Sequence, residues 1–151
     1  MDQAFHVFGV RSETLPQTTR AGAYAAITHT EGLVAAVRGS QGLLLPGGGM
    51  EPFETPVEAV HREVREELGC RFIVGERLGQ AIQYFVSGGQ CQALYATFYA
   101  GELGEVVSAT HERELEWVPP DQLFHAHHAW EAQRQLRRMM ARVHADSASD
   151  T

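Results

Sequence analysis

The sequence has only two cysteines, Cys70 and Cys91, and they form no C-x-x-C pair. Both sit in apolar stretches, which excludes a disulfide scaffold and fits a reduced, cytoplasmic protein. No apolar run approaches the ~18 residues of a membrane span. The acidic start Met1-Asp2 does not read as a signal peptide, so a soluble intracellular domain is expected. Positive charge is the third shortage, since 12 basic side chains face 19 acidic ones and the formal net charge is −7. Such a surface disfavours a broad, sequence-independent contact with nucleic acid or an anionic membrane. An anionic substrate would need a metal or a local basic cluster. Internal repeats and linkers are absent as well. The 151 residues are 44% hydrophobic and 21% charged, which excludes disordered and collagen-like classes. A chain of this length buries about two-thirds of its unfolded surface without staples. One domain over residues 1–144 is expected, followed by a small, polar, disordered tail at 145–151.

Residues 5–10 alternate weakly and read as an edge strand, and a polar, proline-containing stretch runs from Arg11 to Arg20. Residues 23–28 and 33–37, joined by Thr30-Glu31-Gly32, read as a β-hairpin. Residues 42–45 form a short strand stopped by Pro46-Gly47-Gly48-Gly49, a strong loop signal. A helix follows. Thr55 is a good N-cap, Pro56 suits the first helical position and Glu58 completes a capping box. Val57, Val60, Val64 and Leu68 give its buried stripe, and Gly69 ends it. Residues 72–74 and 81–86 read as strands, and 91–99 completes a long hairpin across Ser87-Gly88-Gly89-Gln90. Residues 114–118 are a last strand, closed by Pro119-Pro120 and a short helix. The end is helical over about 128–144, with Trp130, Leu136, Met139, Met140 and Val143 available for packing.

The informative stretch is the central helix. At ~100° per residue, Glu63, Glu66 and Glu67 fall within an arc of about 100°, beside the buried stripe. Like charges at i, i+3 and i+4 repel, and hard oxygen ligands so placed suit Mg²⁺ or Mn²⁺. A solvated helix face with Arg62 and Arg65 interleaved is the other reading. The glycine run is neither a dinucleotide fingerprint nor a P-loop, because the spacing and the Lys-Ser/Thr are missing.

The segment reads Gly48-x5-Glu54-x7-Arg62-Glu63-Val64-x-Glu66-Glu67-x-Gly69-Cys70. It resembles the Nudix box, G-x5-E-x7-R-E-U-x-E-E-x-G-U, where U is aliphatic. Every fixed polar and glycine position is filled. The one departure is Cys70, which can serve as a small hydrophobe. The resemblance implies an α/β fold of the Nudix type, an α/β/α sandwich with a central mixed β-sheet. It implies divalent metal, Mg²⁺ or Mn²⁺, and hydrolysis of a nucleoside diphosphate linked to another moiety. Glu63 and Glu67 would be the main carboxylate ligands, with Glu66 a ligand or the base, and the Gly48 carbonyl would complete the metal shell. Arg62 and Glu54 match positions that orient those glutamates. Glu112 and Glu114, in the loop before the last strand, compete with Glu66 as general base, and Glu66 is favoured through its tie to the metal cluster. The partner implied is a small nucleotide-like substrate, with a homodimer left open. Two other readings stay open, a nucleoside triphosphate pyrophosphohydrolase and a non-catalytic Nudix-fold nucleotide sensor. The substrate itself is not legible; residues 71–118 lack the downstream proline expected of the ADP-ribose group.

Two further clusters stand out. His125, His127 and His128 read as a solvated loop or a cap, with zinc as the alternative. Tyr84, Phe85, Tyr95, Phe98 and Tyr99 read as core of a hairpin, with one or two free to line a nucleotide pocket.

Overall fold

Alternating small residues in two alanine-rich strands set the layering. The computed structural model describes residues 5–149. Its strands are β1 (His6–Phe8), β2 (Gln17–Ala26), β3 (Val34–Gly39), β4 (Gly42–Leu44), β5 (Gly47–Gly49), β6 (Cys70–Ser87), β7 (Gln90–Val106) and β8 (Glu116–Val118). The helices are α1 (Pro56–Leu68) and α2 (Ala126–Ser149), with a 3₁₀ turn at Pro120–Gln122. Five strands form a mixed sheet in the order β1-β6-β7-β2-β5, and β4-β3-β8 form an antiparallel one. In the mixed sheet β1/β6 and β2/β7 are parallel, whereas β6/β7 and β2/β5 are antiparallel.

Successive side chains of β2 and β3 point to opposite faces, and both faces are buried. Ala23, Ala25, Ile27, Ala35 and Val37 pack with Ala59, Val60, Val64 and Leu68 of α1. Tyr24, Ala26, Val34 and Ala36 pack with Ala132 and Leu136 of α2. The result is the expected α/β/α sandwich. Among the described residues, no helix is long and apolar enough to cross a membrane.

Several local expectations give way to tertiary pairing. The polar stretch over 11–20, which carries no strand signal of its own, supplies Gln17–Arg20 to the start of β2, where they pair with Cys91–Leu94 of β7. The hairpin expected from 23–28 and 33–37 closes only at its turn, where Ala35 N–H donates to Ile27 O at 2.9 Å. Beyond it β2 and β3 enter different sheets. The glycine run is a strand rather than a loop, since backbone pairing with β2 needs no side chains. Residues 72–74 and 81–86 belong to one strand, interrupted by register shifts between Cys70 and Gly79 that break the alternation. The last strand is shorter than expected, Glu116–Val118. On α1 the stripe is rotated, so Val57 is 37% exposed and Ala59 is buried in its place. Helix α2 starts earlier than expected and continues through Ser149, where a disordered tail was expected from 145; Asp150 and Thr151 lie outside the described residues. Of its packing residues, Leu136 is buried and Trp130 and Met139 rest on the core. Met140 is exposed, and the Val143 side chain lies outside the described residues.

Candidate active site

The capping chemistry of α1 aims its acidic face. Thr55 Oγ1 accepts the Glu58 N–H at 3.2 Å, and the Glu58 carboxylate accepts the Thr55 N–H at 3.2 Å, a complete capping box. Gly69 takes a left-handed conformation at φ 69° and ends the helix. The carbonyls of the last turn are then claimed by the loop after β7. Gly69 O accepts from Val107 and Ser108, Glu66 O from Glu112 N–H at 3.0 Å, and Glu67 O from Arg113 N–H at 2.9 Å. That docking satisfies orphan helix carbonyls and brings Glu112 to the acidic face.

Strand β5 lies against the same face. Gly47 N–H donates to Glu67 Oε1 at 2.7 Å. Gly47 has φ +143°, and a Cβ there would stand 2.7 Å from the Tyr24 Cα, so only glycine fits. At Gly48 a Cβ would come within 2.8 Å of the Glu63 carboxyl carbon. The bare backbone of Gly48 therefore rests directly on Glu63.

The four acidic side chains are not equivalent. Glu67 is 5% exposed, and burial pushes its pKa up to about 7. The Gly47 N–H works against that rise, the charge of Glu63 adds to it, Arg113 opposes it and Glu112 adds again. Glu63 is also raised by burial, against the pull of Arg62. Glu66 stands at the edge, with its side chain 44% exposed. Arg62 braces the set: Nε and Nη2 grip Glu54 at 2.7 and 2.9 Å, Nη2 also donates to Gly49 O at 2.9 Å, and Nη1 reaches Glu63 at 3.0 Å and Glu66 at 3.2 Å. The guanidinium holds the Glu54 carboxyl down at about 2. Among the described residues, no three His, Cys, Asp or Glu side chains converge as a ready-made metal cage. The carboxylates are drawn instead to Arg62, Arg113 and the Gly47 N–H. Their chemistry still fits a hard divalent cation, because mutually repelling oxygens with a buried, proton-retaining member are relieved by a central charge.

The structure thus brings Gly48, Glu54, Arg62, Glu63, Glu66, Glu67 and Glu112 into one neighbourhood, while Glu114 is exposed two residues further on. Three participants escaped sequence reasoning. Gly47 precedes the motif. Tyr24 senses Glu63 and Glu67, and burial pushes its phenol up to about 12. Arg113 pairs with Glu67 at 3.3 Å and donates to Arg38 O at 2.6 Å. A lone cation between Glu112 and Glu114 was the available cue.

The histidines correct the loop reading. His127 and His128 are buried at the head of α2, and neither a solvated loop nor a zinc cluster is found there among the described residues. Of the aromatics, Phe98 and Tyr99 are core, whereas Phe85 lines an open cavity of about 440 Å³ with Gln41, Gln83, Phe124 and His125.

A NUDIX domain profile matches residues 18–142, most of the chain. The chain belongs to the Nudix family. None of the curated proteins matches it. Solved structures do, among them that of the E. coli ORF135 protein at 26% identity and TM-score 0.58, over 80% of this chain and 92% of that one. The MutT protein of Methanosarcina mazei Go1 matches at 25% identity and TM-score 0.58, over 85% and 98%. A MutT protein from Bacillus halodurans, at 23% identity and TM-score 0.60 over 78% and 82%, shares the fold. Family membership makes this Nudix chain an enzyme, a hydrolase of pyrophosphate linkages. The family acts on small nucleotide-like substrates and generally uses divalent metal.

Arg62→Lys tests the bracing of this Nudix site. Lysine keeps the charge but cannot span Glu54, Glu63, Glu66 and Gly49 O with one planar fork. A roughly 10–100-fold loss of kcat is expected, as for other partners that orient ligands. Steady-state kinetics with wild-type kcat in the lysine variant would remove the role.

Proposed function

We propose that this Nudix enzyme hydrolyses a diphosphate bond in a nucleoside diphosphate-linked small molecule, by water attack at phosphorus with Mg²⁺ or Mn²⁺. The observation that carries the reading is that Glu63 rests on the bare backbone of Gly48 and Glu67 on the Gly47 N–H, while Arg62 joins Glu63 to Glu66 and the Glu112 loop is bonded to the Glu66 carbonyl. Glu63, Glu67 and the Gly48 carbonyl would hold the ion, with Glu66 at its edge. Such an ion, when bound, neutralises phosphate charge and lowers the pKa of the attacking water. Arg62, fixed by Glu54, keeps Glu63 and Glu66 in place and is too fully bonded to serve the substrate. Glu66, exposed and tethered by one oxygen, is the proposed base. The Phe85 cavity, with planar faces and two amides, suits the nucleoside end. The chain acts as one unit over residues 1–144, and its cysteines are unpaired, in keeping with a cytoplasmic setting.

A panel of nucleotide sugars, dinucleoside polyphosphates and nucleoside triphosphates, assayed with each metal, tests the proposal. Cleavage of a nucleoside diphosphate derivative supports it. Pyrophosphate release from triphosphates alone would transfer the enzyme to the pool-sanitising class. Tight binding without turnover would make it a sensor.

Proton release gives a second check. Glu67 holds a proton in the metal-free protein below about pH 7, and a ligand carboxylate must be deprotonated. Mg²⁺ affinity should therefore fall by about tenfold per pH unit below 7 and level off above it. Calorimetry in two buffers of different ionisation enthalpy should count nearly one proton released at pH 6 and almost none at pH 8. Equal release at both would show that no ligand titrates between the two pH values and remove a proton-retaining Glu67 from the metal site.

A further inference from the structure

His125, His127 and His128 take no part in the chemistry proposed for the carboxylates, yet one of them is bonded to the corner that leads into β5. His128 is buried, and its Nδ1 accepts the Leu45 backbone N–H at 2.9 Å. The next residue, Pro46, accepts the Ala25 N–H of β2 on its carbonyl at 2.8 Å. Gly47 then donates its N–H to Glu67 at 2.7 Å. Three consecutive residues are each fixed by a different element, namely α2, β2 and α1. The imidazole is itself held edge-on to Tyr24, at 4.5 Å and 71°. Tyr24 is the residue paired with Gly47 across β2 and β5.

This anchoring matters because of what the corner lacks. Strand β5 is an edge strand of three glycines, so no side chain of its own sets its position. Pro46 has no N–H to offer. The Leu45 N–H is thus the last donor before Gly47, and His128 takes it. Displacing the corner would move the Gly47 N–H and the Gly48 backbone together, away from Glu67 and Glu63.

We infer that His128 is a positioning residue for catalysis, fixing the corner at Leu45, Pro46 and Gly47 and through it the glycine backbone against Glu63 and Glu67. The effect on turnover rests on the metal chemistry proposed for those two glutamates; the hydrogen bond does not. An acceptor at Nδ1 requires a neutral ring with its proton on Nε2. Burial holds the His128 pKa well below its ordinary value, so that acceptor persists through neutral pH.

The test compares three variants with wild type, all well below their unfolding temperatures. His128→Leu removes the acceptor, His128→Gln restores one, and Leu136→Ala perturbs the same core cluster on the same helix without touching a hydrogen bond. Amide exchange of Leu45 and Gly47 in the metal-free protein should accelerate at least about tenfold in His128→Leu, relative to Leu136→Ala. Its Mg²⁺ dissociation constant should rise, and kcat should fall, by roughly 10–100-fold, the range seen when a partner that orients ligands is lost. His128→Gln should recover most of both. Faster exchange with unchanged kcat and metal affinity would overturn the inference, as would His128→Leu behaving like Leu136→Ala throughout. Should His128→Leu fail to fold, ¹⁵N shifts of the wild-type ring decide, because a proton on Nδ1 is incompatible with the bond. If Glu67→Gln binds Mg²⁺ like wild type, the metal reading fails, and the exchange rates still report on the corner.

Discussion

Glu67→Gln is expected to lower kcat by at least about 10²-fold and to weaken Mg²⁺ binding, while the metal-free protein becomes more stable at alkaline pH. Losing a partner that merely orients a ligand costs 10–100-fold, so losing a ligand should cost no less. The stability effect follows from burial. The folded-state pKa of about 7 lies above the ordinary value of 4.5, so the folded protein holds this proton more tightly than the unfolded chain. The stabilisation that the proton brings is complete below pH 4.5 and is lost as pH rises through 7. Glutamine is neutral at every pH and can still accept the Gly47 N–H. The variant should therefore exceed wild type at pH 8 by at most roughly 3 kcal/mol, a net figure in which the Arg113 attraction is already counted, and match it near pH 4. Denaturant titrations at the two pH values, beside Mg²⁺ calorimetry and one turnover assay, read all three quantities. A solvated-face role would leave kcat and metal affinity unchanged, and that result would sink the site as a functional claim.

Glu66→Gln should reduce kcat by about 10²–10⁴-fold, the usual cost of a positioned base, with Glu112→Gln smaller and Glu114→Gln smaller still. One Glu66 oxygen is tied to Arg62 Nη1, and its exposed side chain leaves the other open to water. Glu112 is the serious competitor, since its backbone is bonded to Glu66 O and its charge reaches both Glu63 and Glu67. The opposite ordering in single-turnover rates would transfer the base to Glu112 and leave Glu66 as a metal contact.

Helix α1 was legible because its determinants are local. Thr55, Pro56, Glu58 and Gly69 act within a turn of where they stand, and the glutamate spacing needs only the helical period. What escaped depends on residues far apart in the chain. Nothing near Gly47 announces a strand, because its partner Tyr24 lies more than twenty positions earlier. The polar look of Thr18 and Thr19 hides a long-range parallel pairing with Gln92 and Ala93. His127 and His128 read as a loop or cap from their place between two expected helices, yet α2 turns both into the core, where His127 Nδ1 meets Gln83 Oε1 and His128 Nδ1 accepts the Leu45 N–H. The rotation of the α1 stripe from Val57 to Ala59 is a question of phase. Alanine is as ready as valine to be buried when a strand of small residues lies beneath it.

The parallel stitching of β2 to β7 also governs the order in which the protein can come together. Gln17 meets Cys91 and Ala26 meets Ala100, a constant separation of 74 positions along the chain. Strands β6 and β7, by contrast, meet across the two-residue turn Gly88-Gly89, and α1 is stabilised by its own caps. Closing a short loop is fast, while pairings of high contact order are slow because chain entropy must be surrendered before contacts repay it. Strand β5 pairs only with β2, so the glycine backbone joins the rest of the five-stranded sheet only through that slow closure. During refolding, helix and hairpin signals should therefore precede the return of turnover, and the enzyme regains its chemistry last.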